Sequence, residues 1–452
     1  MHLTTISTFA LRPPLRKPLC SPLQRGSEGL FGFAIKALAD STEHGNVSFF
    51  QVDTNRGTVT HSSTSSLPSG HIDSMHLSYD HTHHAWVLGI DGIREALGVY
   101  EVHSGSNQPW TKLAWVETQQ VGLGNKVLVA LWQQGQQYPL LFYVVDIEEV
   151  SDSRLYWTQW RPGADARAQL PRLIRYCDTL VPYLKSEGCL LFLCQRAFQQ
   201  EPEDPHSRYG PGSWHLAIAA YRSDGTLILQ EPLPETTFPI RNLKVPKEDF
   251  FKWLQVRMNI TEGPPLETEG RRSCVAALVL QDSTASSPEE ATKGGLYWID
   301  MQGQVMRREV SSLGGQISLC LCAEAVIGTD IFENRRRLWR WSPLEGTERH
   351  TEAFLSPRAS RATLVAGDRQ EELSPAYFWC VEEYREGVSV SRWTSQPMRK
   401  LGETWCEGIT LVDELVASYV RDRQPKGVVA DRNALLLLGI DKEHRLNLWR
   451  VQ

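Results

Sequence analysis

The sequence predicts an all-β protein, a single β-propeller of seven or eight four-stranded blades that covers residues 1–452. Three observations support this fold class. A short aromatic pattern recurs along the whole chain, a purely apolar run precedes most of its copies, and turn residues follow most of them. Units of about 40–50 residues, each with a buried strand, an aromatic strand and a polar outer strand, are typical of propeller blades.

The recurring pattern is an apolar residue, an aromatic residue, any residue and a second apolar residue. Clear copies lie at 49–52, 99–102, 142–145, 338–341 and 448–451, with looser copies at 219–221, 296–299 and 390–393. Apolar runs that suit strands buried on both faces precede them at 85–88, 126–131, 189–194, 274–280, 376–380 and 434–438. Turn chemistry after the copies, such as Ser223-Asp224-Gly225, indicates hairpins.

The last copy ends at Gln452, after the third strand of its unit. A strand at residues 4–11 could supply the missing outer strand and close the ring, which would remove two sheet edges. A second reading stays open, because residues 1–27 contain no Asp or Glu but carry Arg12, Arg16 and Lys17, as a targeting segment would.

Two insertions are expected, near residues 163–186 and 233–272. In the first, apolar residues at spacings of one, three and four predict a short amphipathic helix at 171–184, despite Pro182. In the second, residues 247–257 are a further helix candidate.

The repeat order resembles that of WD-repeat propellers, although the Gly-His and Trp-Asp dipeptides of that class are missing: Trp449 is followed by Arg450 and Trp341 by Ser342. The uneven units, many Trp residues and long loops also make the chain similar, without a shared motif, to fungal specialised-metabolism propeller cyclases of the hetero-Diels–Alderase type. That resemblance implies cofactor-free cyclisation of an apolar biosynthetic intermediate in the central funnel, and is an analogy of fold.

The loops between second and third strands are expected on the face that also carries the links between blades. One of them, at 196–213, contains His206, Arg208 and Tyr209, which can donate hydrogen bonds or protons and are the candidate catalytic residues. The alternative is a solvated surface loop. Another such loop contains the basic run 335–337, which could hold an anion or form a solvated turn.

Candidate ligand-binding residues come from aromatic and histidine-rich stretches. Trp157 and Trp160 precede a turn and offer flat apolar area, although most Trp residues of the repeat are expected to serve packing. His83 belongs to a cluster of five His within residues 71–84, for which a metal site, a catalytic His and a structural turn stay open; the pattern by itself predicts no metal site.

Composition excludes several functional classes. A net charge of −6 and a pI near 6.1 argue against nucleic acid as a partner. No apolar run of 18 residues predicts a membrane span, and no motif predicts a nucleotide, flavin or other cofactor. The nine Cys are expected to be inert core residues, and a cytoplasmic location follows as an expectation.

Two functions remain. The funnel could bind a hydrophobic small molecule, with cyclase activity as its sharpest form. Alternatively, the chain could be a non-catalytic scaffold whose partner is another protein. The unequal units slightly favour the first, because they suggest one asymmetric pocket.

Overall fold

The computed structural model describes residues 1–9, 19–20, 24–25, 30–36, 47–63, 72–79, 84–91, 96–103, 111–117, 127–131, 140–146, 152–159, 172–185, 188–198, 212–222, 225–230, 238–240, 254–266, 272–282, 292–309, 313–322, 324–346, 348–367, 377–414, 428–431 and 434–452. Within these ranges the regular structure is entirely β, which confirms the predicted all-β class.

Antiparallel strands assemble into seven hydrogen-bonded sheets in the described ranges, numbered here I to VII. Sheet I contains β2 (Leu19–Cys20), β3 (Gln24–Arg25), β4 (Leu30–Lys36), β5 (Val47–Asp53), β6 (Thr58–Ser63) and β32 (Asp413–Glu414). Sheet II contains β7 (Ile72–Tyr79), β8 (His84–Asp91), β9 (Ala96–His103) and β10 (Thr111–Glu117). Sheet III contains β11 (Val127–Leu131), β12 (Leu140–Asp146), β13 (Asp152–Gln159), β14 (Arg172–Lys185), β15 (Gly188–Phe198), β16 (Gly212–Arg222), β17 (Leu227–Gln230) and β18 (Phe238–Ile240).

The C-terminal half holds four further sheets. Sheet IV contains β19 (Leu254–Glu262), β20 (Ser273–Asp282), β21 (Thr292–Asp300) and β22 (Val305–Glu309). Sheet V contains β23 (Gly315–Cys322), β24 (Ala325–Phe332), β25 (Arg335–Trp341) and β26 (Arg349–Phe354). Sheet VI contains β27 (Arg361–Ala366), β28 (Tyr377–Tyr384), β29 (Gly387–Ser395) and β30 (Met398–Glu407). Sheet VII contains β1 (Leu3–Phe9), β31 (Thr410–Leu411), β33 (Val428–Asp431), β34 (Ala434–Ile440) and β35 (Leu446–Val451).

Consecutive sheets pack face to face through buried apolar side chains. Such clusters fill the seams between III and IV, IV and V, V and VI, and VI and VII. A further cluster joins sheet VII to sheet I, and β7 of sheet II lies beside β4 of sheet I and β11 of sheet III. Four-stranded antiparallel sheets stacked in chain order, each covered on both faces, are the architecture of a β-propeller.

In sheets II and IV to VII the aromatic repeat lies on the third strand, opposite a bulge in the outer strand. The copy at 142–145 instead lies on β12, the second strand of sheet III, and the copy at 49–52 on β5 pairs with β6 without a bulge. The register shifts by one residue where β10, β22, β26, β30 and β1 pair with the third strands, next to Tyr100, Trp298, Trp339, Trp393 and Trp449. All four of these Trp residues are buried, as predicted for packing. A bulge twists an edge strand and disrupts its row of free hydrogen-bonding groups, which discourages edge-to-edge aggregation.

The N-terminal strand predicted at residues 4–11 is present as β1 over residues 4–9, and residues 10–11 lie outside the described residues. It pairs antiparallel with β35 from Leu3 opposite Val451 to Phe9 opposite Leu446. Phe9 is buried in the cluster between sheets VII and I, edge-on to Phe33 and Phe50 at centroid distances of 5.5 and 4.8 Å. A second link joins these sheets. The strand β31 of sheet VII is followed after one residue by β32, which pairs with β2 of sheet I in parallel.

The predicted short helices are wrong where the structure describes them. Residues 172–185 form β14, which pairs first with β13 and then with β15 and carries a bulge between Cys177 and Thr179. The bulge resets the alternation of apolar residues, so that a strand imitates helical spacing. Of the second candidate, residues 254–257 open β19, a paired strand of sheet IV, and 247–253 lie outside the described residues.

Candidate functional site

The links between sheets and the turns between second and third strands share one end of sheets V to VII, called here the link end. Gly314 of the link to sheet V donates its N–H to Asp330, next to the β24–β25 turn. Ser360 and Gly408, at the start and end of sheet VI, donate to the carbonyls of Glu383 and Glu386. The predicted placement of these loops on one face is therefore confirmed in this part of the chain.

A fully buried carboxylate lies at the link end of the seam between sheets IV and V. Asp330 is 0% exposed and accepts hydrogen bonds from Arg337 Nε at 3.0 Å and Arg337 Nη2 at 2.6 Å. Arg349 Nη1 lies 3.5 Å from Asp330 Oδ2, and its guanidinium stacks 4.9 Å from the ring of Trp339. Burial lowers the pKa of Arg349, and the neighbouring Asp330 opposes that shift. The two arginines compensate the buried charge of Asp330, and the hydrogen bond from Gly314 attaches the link between sheets IV and V to this cluster.

The next seam, between sheets V and VI, contains a second buried polar group. Arg336 donates from Nη2 to Gln316 Oε1 at 2.8 Å and to the carbonyl of Ala359 at 3.2 Å. Burial lowers its pKa. Across the seam Glu382 accepts the N–H of Ser356 at 3.0 Å, and burial raises the pKa of this carboxyl group. These contacts also fix the link that joins the two sheets.

The basic run 335–337 is thus a strand, and the solvated-turn reading is wrong for two of its three residues. Strand alternation sends Arg336 to one seam and Arg337 to the other, where both are anchored. Only Arg335 is exposed, and its guanidinium carbon lies 5.9 Å from the centroid of the Phe354 ring. The turn itself consists of Glu333 and Asn334, which both have positive φ.

Two large aromatic side chains are exposed on the outer strands at this end. Phe354 ends β26 and is 60% exposed, and Trp405 of β30 is 47% exposed. Tyr384 supports Trp405 with an edge-on contact of 5.3 Å. The sequence prediction missed both residues, because the outer strands were judged only as polar. An aromatic residue within a polar strand is the signal that could have found them.

The predicted site residues are mostly outside the described ranges. His206, Arg208, Tyr209, Trp160 and His83 all lie there, and their proposed roles stay predictions.

Trp157 is described and lies on β13. It is partly buried against the apolar cluster of sheet III, which gives it at least a packing role.

Buried thiols agree with the expectation of inert cysteines. Burial raises the pKa of Cys189, Cys320 and Cys380, and raises that of Cys406 to about 11. A thiol with a raised pKa is a poor nucleophile and metal ligand. The described ranges contain no group of three His, Cys, Asp or Glu that could hold a metal, and no helix long and apolar enough to span a membrane.

Comparisons with known proteins place the chain among remote structural likenesses. No family model matches, and no curated protein matches. The Dos1 propeller superimposes with a TM-score of 0.46 and 10% identity, covering 96% of this chain and 95% of that one. Sqt1 from Chaetomium thermophilum gives 0.45 and 10%, covering 94% and 93%. The Nup133 β-propeller domain of Vanderwaltozyma polyspora gives 0.39 and 10%, covering 92% and 99%.

Proposed function

We propose that this chain is a ring of eight four-stranded blades, closed by β1, that serves as a scaffold for binding other proteins. One feature supports eight blades. The large sheet III divides at β14, whose residues 172–175 pair with β13 and whose residues 176–185 pair with β15. Counting its two halves separately brings the seven sheets to eight units. The pairing of β1 with β35, and the packing of sheet VII on sheet I, support closure.

The scaffold function is carried by the exposure of Phe354 and Trp405. Trp, Tyr and Arg are enriched among the residues that dominate protein interfaces, and here each exposed ring has such a neighbour: Arg335 beside Phe354, and Tyr384 beside Trp405. Burying one such ring on binding contributes about 1.5–3 kcal/mol. Because bulges interrupt the outer strands, a partner would engage these side chains rather than add a strand to the sheet.

Co-purification with matched variants tests this proposal. The tagged wild-type protein is compared with the double variant Phe354→Ala/Trp405→Ala, and retained proteins are quantified by mass spectrometry. The control is Met306→Ala/Leu401→Ala, which removes apolar side chains of similar exposure, 47% and 53%, from the bulges of β22 and β30.

We expect a partner that the wild type and the control variant retain and that the aromatic double variant loses. All four side chains are exposed, so thermal unfolding should be nearly unchanged in both variants. Identical protein sets in all three samples would overturn the docking role of the aromatic pair. Recovery of a bound hydrophobic metabolite without any protein partner would favour the small-molecule function instead.

A further inference from the structure

Three arginines occupy the same position of the aromatic repeat on three consecutive sheets. Arg340, Arg392 and Arg450 are the third residues of the copies 338–341, 390–393 and 448–451. Each lies in the half of its third strand that leads away from the link end. Each comes two residues after an apolar residue that packs in the seam with the next sheet: Leu338, Val390 and Leu448. Because side chains alternate along a strand, each arginine lies on that same side. The repeat therefore places one guanidinium at the same end of three seams.

The guanidinium groups of these arginines have N–H donors that no described residue accepts. All three are partly exposed, and the Nε of each is buried without a hydrogen-bond acceptor among the described residues. Arg392 is stacked 3.8 Å from the centroid of the Tyr377 ring and 5.5 Å from that of Trp379. A stacked guanidinium keeps its in-plane donors available and is already held in place for a planar anion.

The three repeat arginines differ in charge pairing from other cations of these sheets. At the link end Arg361 pairs with Glu383 at 2.6 Å and Arg445 with Asp441 at 2.9 Å, and on the outer strand β30 Lys400 pairs with Glu403 at 2.6 Å. At the opposite end, Arg392 and Arg450 form no ion pair with any described residue. Arg340 has a single contact, 3.7 Å to Glu345. The Glu345 side chain is 73% exposed, so this pair contributes little.

We propose that the end of sheets V to VII opposite the link end binds an acidic, extended segment of a partner protein. Its carboxylates would pair with the guanidinium groups of Arg340, Arg392 and Arg450, one at each seam. This inference rests on the proposed scaffold function and names the partner's chemistry and a second face, separate from Phe354 and Trp405.

An acidic peptide fits this face better than a nucleic acid does. The whole chain carries a net charge of −6, which repels a long polyanion, whereas a short acidic segment meets only the local cations. Planar carboxylates also match the guanidinium fork in a bidentate arrangement.

Fluorescence anisotropy with a labelled oligo-glutamate peptide tests the inference, with an uncharged Gly-Ser peptide of equal length as the matched probe. We expect binding of oligo-glutamate only, weakened by salt. Arg392→Gln and Arg450→Gln should each weaken it by roughly two- to fivefold, the loss of one partly exposed ion pair. Arg445→Gln, at the link end, removes an exposed and already paired cation and should leave affinity unchanged.

Several outcomes would overturn the inference: no binding of oligo-glutamate by the wild type, equal affinity in the Arg392 and Arg450 variants, or tighter binding of a single-stranded oligonucleotide than of oligo-glutamate. The stacking of Arg392 on two rings means that its variant requires a thermal unfolding check. Arg450→Gln, without such stacking in the described residues, keeps the test valid if the first variant is unstable. Failure here, with partners still retained in the co-purification, would refute the acidic-segment inference and leave the scaffold function standing.

Discussion

Replacing Phe9 by Ala tests whether β1 is an integral part of the fold. Phe9 is 5% exposed and packs edge-on against Phe33 and Phe50, which stack on one another at 5.1 Å. Truncating a buried Phe to Ala costs about 3–5 kcal/mol, of which each edge-on aromatic pair supplies about 0.5–1.5 kcal/mol. Because β1 is an outer strand whose surroundings can partly collapse, we expect a loss near 3 kcal/mol in the free energy of unfolding.

Urea unfolding followed by tryptophan fluorescence measures this loss, because the buried Trp residues report on several sheets at once. Leu3→Ala is the matched control: Leu3 lies on the same strand but is 37% exposed, so its truncation should cost less than about 1 kcal/mol. If Phe9→Ala costs no more than Leu3→Ala, β1 does not stabilise the fold and closure by this strand is refuted. A transition that splits into two steps would show that only part of the chain depends on β1.

Two further substitutions test the polar clusters. Asp330→Ala should cost about 3–5 kcal/mol in urea unfolding, since it leaves two arginines and the Gly314 N–H without their buried acceptor, and a loss below about 1 kcal/mol would show that the cluster is not structural. Glu403 tests the pH dependence of stability. Burial pushes its pKa upward, but hydrogen bonds from Lys400 and Ser389 outweigh this and leave the pKa lowered. A carboxyl group whose pKa is lowered in the folded state stabilises the fold above its unfolded pKa, and this contribution is lost as the pH falls through the folded pKa. Glu403→Gln should therefore be less stable than the wild type at pH 7, by under about 1 kcal/mol for this exposed group, and equal to it in acid. An equal difference in stability at both pH values would contradict the ionic origin.

The repeat unit was predictable because its signals are local. A strand buried on both faces must be apolar throughout, and a hairpin turn must contain residues that adopt its backbone angles, so both features are readable in a short window. The N-terminal strand β1 was also predicted from the sequence, and it pairs with the last aromatic strand, β35, as expected. The helix expected at 171–184 was wrong for an equally local reason: one bulge shifts the alternation, and a window without the partner strand cannot detect it.

The candidate sites were less predictable because they depend on residues distant in sequence. Asp330 meets Arg349 through the register of β24, β25 and β26, and Arg336 meets Gln316 across the same sheet. The run 335–337 illustrates the point: its three identical side chains have three different environments, set by strand alternation and by the sheets on either side.

The same alternation explains how one repeat position can serve both packing and binding. At the second position of the repeat, Trp339 and Trp449 face the preceding sheet and are buried in its seam. At the third position, Arg340 and Arg450 are partly exposed and lie by strand alternation on the side of the next seam. A long Arg stem in such a place can cover apolar surface while its charged end reaches solvent. In sheets V to VII the packing pattern of the repeat therefore also places a cation at the same end of each sheet. If oligo-glutamate binds there and Arg450→Gln weakens it, recognition in this protein is a by-product of blade packing; if it does not, these arginines serve the seams alone.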